Sequence, residues 1–498
     1  VYQGFCWIAD SYRHYQLDAD KPCQRLERTA DALAFKLDIV NQFTVWNASS
    51  PFEIVMGFQP TPVKPMAEGY RKMGSIMYDE GWYPRSCQVF SRYGGVDLRT
   101  NVFNPLQGDY SFFDYLVSIM DIPPEKRDRT KFNRNRDEYL QKHVEEYTRR
   151  NLGTEKSLRD NLDWHFSRTT GKLLLYTDPL GISCFWPEDE MYKAEWSAWT
   201  FPVEEPFYQE YLSRLPKSRI DKQIHDEWRA VRRGVDGVNF DCFGQGGGFN
   251  TENGVAWYDE KGQIHSNCEL FAWRQIVRRT AIMVHVEGKH LYGVPWVDVH
   301  STDGMVVPVC SFASTLTTTE MGGRRGEYQD RFLESQFLSD ILGIHAGAVS
   351  FPIVSCESKK NELDSLLAVM FAYGFMNITD QGVPLSKNTF FRDAVNIVFD
   401  FGFGDPGVEI FPYWGEQTPP VTHDAKDIRM TVARRPDGKT LLMIGNLGEK
   451  TQVRFDLTKL GYPNSRLSNA ETKQVLATPE ISVERRSYAL VMIEKVNQ

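Results

Sequence analysis

No stretch of this 498-residue chain approaches the roughly 20 consecutive apolar residues that span a bilayer, so no membrane-spanning helix is expected. A cationic excess is missing as well. The formal net charge is −9, which argues against a nucleic-acid backbone as partner, because phosphate binding draws on concentrated Lys and Arg. The basic clusters Lys126-Arg127-Asp128-Arg129 and Arg324-Arg325 are short and interleaved with acids, as solvated helix ends are. Eight cysteines (6, 23, 87, 184, 242, 268, 310 and 356) include no CxxC and no Cys/His spacing typical of zinc, and neither HxH nor HExxH occurs. No metal and no other cofactor is therefore expected. Those thiols can be free and buried or joined in disulfides. Gly244-Gln245-Gly246-Gly247-Gly248 misses the third glycine of GxGxxG and an immediate helix. Asp400-Phe401-Gly402 spells a kinase triplet without any other kinase signature. Both read as loops. There is no internal repeat and no low-complexity tract.

What the chain has in excess is aromatic: 12 Trp, 22 Tyr and 31 Phe. Sugar clefts use ring faces against the C–H face of a pyranose, while large folds also need such rings to fill their cores. Length suggests about three domains. Residues 1–69 read as strands, with Gly4–Ala9 and Ala34–Val40 as the clearest; in the latter Phe35, Leu37 and Ile39 share one face. Pro60, Pro62 and Pro65 then mark a linker. Residues 70–412 alternate short apolar strands with helical stretches. Strands are expected at 75–78, 172–176, 237–240, 294–297, 314–319 and 348–351, with a helix over 269–284. Residues 413–498 are β-rich again, with 440–446 and 451–455 expected as paired strands joined at Gly448, and a last strand at 488–493. The fold class implied is α/β: a (β/α)8-type barrel flanked by an N-terminal partial β-sandwich and a C-terminal β-sandwich. The chain opens at Val1 within a strand-like segment, without an initiator Met or a signal peptide, which fits a processed, secreted product. The sequons at Asn47 and Asn377 are about as many as chance supplies.

Acids at strand C-termini point to chemistry, since barrel active sites are built there, although Asp and Asn also cap the helices that follow. The strongest signal is Gly234-Val235-Asp236-Gly237-Val238-Asn239-Phe240-Asp241: a buried strand delivers Asp241 to its C-terminal edge, while Asp236 serves the turn before it. Glycosidic cleavage needs a second acid to protonate the leaving oxygen. Glu320, after the β-branched run Ser314–Thr319 and before Gly322-Gly323, is the candidate. Asp298 and His300 share one face of their strand and suit hydroxyl binding, a metal, or a satisfied structural pair. Glu80 and Trp82, in Asp79-Glu80-Gly81-Trp82, form a candidate sugar subsite. Asp178, Asp405 and Trp414 complete the substrate-binding set, with solvated loop acids as the plainer reading of Asp178 and Asp405.

Several phrases together are familiar. The run Gly57-Phe58-Gln59-Pro60-Thr61-Pro62-Val63-Lys64-Pro65 comes first, then Glu80-Gly81-Trp82 and the Val-Asp-Gly-strand-Asp element at 235–241. Asn253, Gly254, Tyr258, Asp259 and Gly262 follow, and then Phe411-Pro412-Tyr413-Trp414. Across nearly the whole chain this pattern resembles glycoside hydrolase family 123-like and uncharacterised glycosidase-like barrel proteins. The resemblance implies a β-sandwich, a barrel and a C-terminal β domain. Characterised members of that family use an adjacent Asp-Glu pair assisted by the substrate's N-acetyl group. Here Cys242 follows Asp241, and the Asp79-Glu80 pair lies on a different strand.

The expected activity is therefore hydrolysis of an O-glycosidic bond in a poly- or oligosaccharide by a two-carboxylate route. A non-catalytic carbohydrate-binding protein on the same scaffold is the alternative. A metal-dependent hydrolase built on Asp298 and His300, and a polysaccharide lyase using Arg324 and Arg325, are further rivals.

Overall fold

The computed structural model describes residues 4–18, 20–45, 53–67, 69–76, 88–91, 162–163, 172–177, 179, 181–183, 189–198, 210–212, 214–241, 248–259, 261–288, 290–291, 294–301, 305–319, 326–354, 359–380, 388–462 and 464–496. Among the candidates, Glu80, Trp82, Asp178 and Glu320 lie outside these residues, as does Asn47.

Among the described residues, eight parallel strands make the central sheet: β1 Met73–Ile76, β2 Gln88–Ser91, β3 Lys172–Thr177, β4 Gly237–Phe240, β5 Val294–His300, β6 Thr315–Thr318, β7 Val349–Val354 and β8 Thr379–Asp380. Each pairs in parallel with the next in sequence, and Thr379 of β8 lies beside Ser75 of β1, so the pairings return to the first strand. The sequence pattern anticipates six of them. β2 and β8 are not among them; β8, at two residues, is too short to display a period.

Side chains alternate between the two faces of this sheet. Inside the ring Met73, Leu174, Trp296, Val349 and Phe351 form an apolar floor. Gly237 makes room for it: a Cβ there would stand 2.1 Å from the Trp296 carbonyl oxygen. Outside, Val238, Phe240, Val297, Val299 and Leu316 pack on two helices, α1 Lys217–Val231 and α2 Leu270–Glu287. Trp273, Val277 and Ala281 line the buried stripe of α2, as their spacing requires, and Leu270 packs against the same cluster.

Two more helices, α3 Lys360–Tyr373 and α4 Thr389–Phe401, share one apolar cluster with residues of the C-terminal region. From Ser365 to Tyr373 α3 is buried without a break, sharing one apolar cluster with Tyr328, Phe337 and Ile341 and with Ala433, Leu441, Met443 and Leu490 of the C-terminal sheet. The polar residue in that stretch, Ser365, is satisfied where it sits: its hydroxyl accepts from the Tyr328 backbone N–H at 2.6 Å and donates to Gln329 Oε1 at 2.5 Å.

The C-terminal region is built from β9 Ile428–Arg434, β10 Thr440–Asn446, β11 Thr451–Asp456, β12 Glu480–Val483 and β13 Tyr488–Lys495, with shorter strands beside them. One antiparallel sheet holds β9, β10 and β13, and a second holds β11 and β12. Val432, Leu442 and Ile444 of the first meet Val453, Phe455 and Val483 of the second in one apolar cluster. The expected pairing of 440–446 with 451–455 is wrong. β10 pairs with β9 and β13, and β11 with β12. The chain crosses between sheets at Asn446, whose side-chain amide donates to the carbonyls of Glu449, Val483 and Glu484 and so supports a crossover instead of a hairpin.

Among the described residues of the N-terminal region are two separate two-stranded sheets, Gly4–Ala9 with Met56–Thr61 and Gln24–Arg28 with Leu33–Leu37. The proline-rich run after them is docked: Val63 N–H donates to the His345 carbonyl, and Lys64 Nζ donates to the carbonyls of Ser311 and Ala313. Asn377, the second sequon residue, is buried, and its amide donates to the carbonyls of Tyr70 and Met73 at 2.7 and 2.8 Å, which leaves no room for a glycan in this fold. No helix among the described residues is long and apolar enough to cross a membrane.

Candidate active site

Above the apolar floor the interior of the ring turns polar. Asn239 of β4 and Asp298 of β5 are side by side in register and fully buried. The Asn239 amide donates to Asp298 Oδ2, which also accepts from the Thr317 hydroxyl at 3.1 Å. Burying a carboxylate is costly unless hydrogen bonds replace its water, and these supply them. Asp298 thus braces β4, β5 and β6 at one level.

One step higher is Asp241. Its backbone N–H donates to the Thr177 carbonyl at 2.7 Å, continuing the β3–β4 ladder to the strand end. Its carboxylate is held on both oxygens: the Tyr176 hydroxyl donates to Oδ2, and His300 Nδ1 shares a hydrogen bond with Oδ1. The Asp241 side chain is 18% exposed and that of His300 7%. Three adjacent strands therefore place an acid, an imidazole and a phenol at the end where strands finish, with the acid more open than the imidazole. Charge-assisted contacts of this kind fix a carboxylate's direction as well as its charge.

The expectation that Asp298 and His300 share a face holds, but they do different things. Asp298 bonds below to Asn239 and Thr317, and His300 bonds above to Asp241. Among the described residues no group of three or more His, Cys, Asp and Glu is arranged to hold a metal ion. Asp236 has the structural role expected of it, accepting from the Leu173 N–H at 2.9 Å at the start of β4.

Asp405 and Trp414 are corrections to the substrate-binding set. Asp405 is ion-paired with Lys72, the residue before β1 begins. Trp414 donates its indole N–H to the Tyr373 carbonyl and lines a cavity with Tyr70 and Val349, the first residue of β7. Both stand where strands start, at the opposite end from Asp241. They follow the last helix of the ring, and chain leaving that helix returns to the end where strands begin. Asn253, Gly254, Tyr258, Asp259 and Gly262 build a hairpin: Asp259 accepts from the N–H groups of Lys261 and Gln263 and bonds to His265, while Gly254 and Gly262 take left-handed φ of 81° and 75°.

Tyr176 is the site residue that sequence reasoning missed. Its strand was recognised, but acids alone were sought at strand ends. Parity was the available signal, because Tyr176 lies two residues beyond the inward-facing Leu174.

Behind the site a polar ladder runs along α1. Gln223 donates from Nε2 to the Thr177 hydroxyl at 2.8 Å and to Glu227 at 2.9 Å, and accepts from Arg219 at 2.9 Å. Thr280 of α2 donates to the other Glu227 oxygen at 2.6 Å. Burial lifts the Glu227 carboxyl from its ordinary 4.5 to about 7, against the hydrogen bonds from Thr280 and Gln223. With the folded value raised, the native state holds more protons than the unfolded chain between these limits, so stability falls as pH rises from 4.5 to about 7. Glu227→Gln is expected to flatten that slope, removing a loss on the order of 3 kcal/mol. Urea unfolding midpoints at several pH values in this window measure it; parallel slopes for both proteins would refute it.

No family model and no curated protein matches the chain. Solved structures do share a likeness of arrangement. An α-amylase from Geobacillus thermoleovorans, complexed with acarbose, is 7% identical with a TM-score of 0.45, over 70% of this chain and 82% of that one. A β-L-arabinopyranosidase from Geobacillus stearothermophilus, in complex with arabinose, is 9% identical with a TM-score of 0.41, over 69% and 79%. α-Galactosidase I from Mortierella vinacea is 9% identical with a TM-score of 0.37, over 68% and 80%. None of these three is named as a family 123 protein, and likenesses this slight carry no chemistry to the chain.

Proposed function

We propose that the parallel ring is a (β/α)8-type barrel and that the chain is a glycoside hydrolase acting on a poly- or oligosaccharide. The observation that carries this reading is the Asp241 carboxylate, partly open at the C-terminal ends of the strands and gripped by Tyr176 and His300. A carboxylate whose position is set in advance suits attack on, or stabilisation of, an oxocarbenium-like centre. Asp241 takes that role here.

The proton for the leaving oxygen comes, in this proposal, from Glu320. Support for the choice is in the register. Phe240 lies beside Val299, and Val299 beside Leu316, so β6 ends at the same end of the ring as β4 and two strands away, and Glu320 follows Thr319 directly in sequence. Separation of the two carboxyl groups by about 5 Å would make the enzyme retaining, and about 6.5 to 9.5 Å inverting.

The test is a screen of aryl glycosides and mixed polysaccharides with product analysis. Release of new reducing ends supports hydrolysis; binding without turnover across the panel would overturn it in favour of a carbohydrate-binding protein. Glu320→Gln is expected to lose about a hundredfold or more on natural linkages, whose leaving groups need a proton. Much less is lost on aryl glycosides with acidic leaving groups. Equal losses on both kinds would remove Glu320 from the role of acid.

A further inference from the structure

We infer that the buried Arg219–Gln223–Glu227 ladder on α1 is a positioning device for Asp241, acting through Thr177. The inference rests on Asp241 being the working carboxylate. Thr177 touches both sides of the wall. Its carbonyl accepts the Asp241 N–H at 2.7 Å, and its hydroxyl accepts from Gln223 at 2.8 Å. The residue before it, Tyr176, supplies the hydroxyl on Asp241 Oδ2. The end of β3 therefore makes two of the contacts that set where the carboxylate stands, and the ladder holds that end from outside the ring.

Gln223 can hold only one way. Its Nε2 donates to both Thr177 and Glu227, which uses both amide hydrogens, while its oxygen accepts from Arg219. Glu227 in turn is tied to α2 by Thr280. Arg219, Gln223 and Glu227 recur every four residues and so stand on one helical face, all three buried. An apolar face would pack this wall as well. A polar one costs desolvation at each residue, and what it adds is direction: a fixed angle between strand end and helix.

The test reads the site without a substrate. In protein labelled with 15N-histidine, the His300 ring resonances are identified by their loss in His300→Gln and compared at one pH. Asp241→Asn displaces them, because the Nδ1 partner changes. Thr177→Val and Gln223→Met, both close in size to the native residues, are expected to displace the Nδ1 resonance in the same direction by a smaller amount. Thr431→Val, which removes a buried hydroxyl bonded to the Ala372 carbonyl elsewhere in the fold, leaves it in place. If Gln223→Met fails to fold, Thr177→Val carries the test. Resonances unmoved by the ladder variants but moved by Asp241→Asn would overturn the positioning role and leave the hydrolase reading standing. Resonances unmoved by Asp241→Asn as well would remove the site geometry on which both depend.

Discussion

Asp241→Asn is expected to lower kcat/KM on a responsive glycoside by about a thousandfold or more, with the fold intact. The substitution keeps volume and shape, so the polar contacts of the strand ends persist and thermal unfolding moves little. What disappears is the negative charge. Asn also presents an NH2 group to one of two partners, Tyr176 or His300, that now meet an oxygen. A nucleophile or a charge stabiliser suffers equally, because each depends on full carboxylate charge at the transition state. Turnover is measured alongside circular dichroism melting. Near-native kcat/KM in the variant would take Asp241 out of the chemistry.

Gly445→Ala is expected to cost about 3 kcal/mol or more, the largest stability effect anticipated for a single methyl group here. Gly445 lies on β10, on the side that Leu441 and Met443 turn toward α3. A Cβ at this position would stand 2.0 Å from the Ala368 carbonyl oxygen and 2.8 Å from Ala372 Cβ. The first of these is backbone within a buried helix, so no side-chain rotation relieves the clash. Either α3 withdraws from the C-terminal sheet or β10 bends away from its neighbours, and both open a packed core. The urea midpoint reads the cost; an unchanged midpoint would show that helix and strand are not in backbone contact.

Alternation and helical spacing made much of this fold legible. Trp273, Val277 and Ala281 on α2, the outward Val238 and Phe240, and the buried run Leu441-Leu442-Met443-Ile444 of β10 are apolar for reasons visible in local order. So was the delivery of Asp241 to a strand end, since it directly follows a buried four-residue strand. The pairing of β10 with β9 and β13 instead of β11 was not legible, because a short Gly-containing connection serves a hairpin or a sheet crossing equally well. Asp405 and Trp414 failed for a related reason: nothing in a loop's composition says which end of the ring it faces.

The sequence by itself determined which residues are buried and which strand ends carry acids, because hydrophobic periodicity and strand parity are properties of neighbours along the chain. Only the tertiary structure decided which groups meet. Tyr176 and His300 lie 65 and 59 residues from Asp241, and β3, β4 and β5 become neighbours only through backbone hydrogen bonds between segments far apart in sequence. No local preference encodes a contact whose partners are chosen by the closure of a sheet.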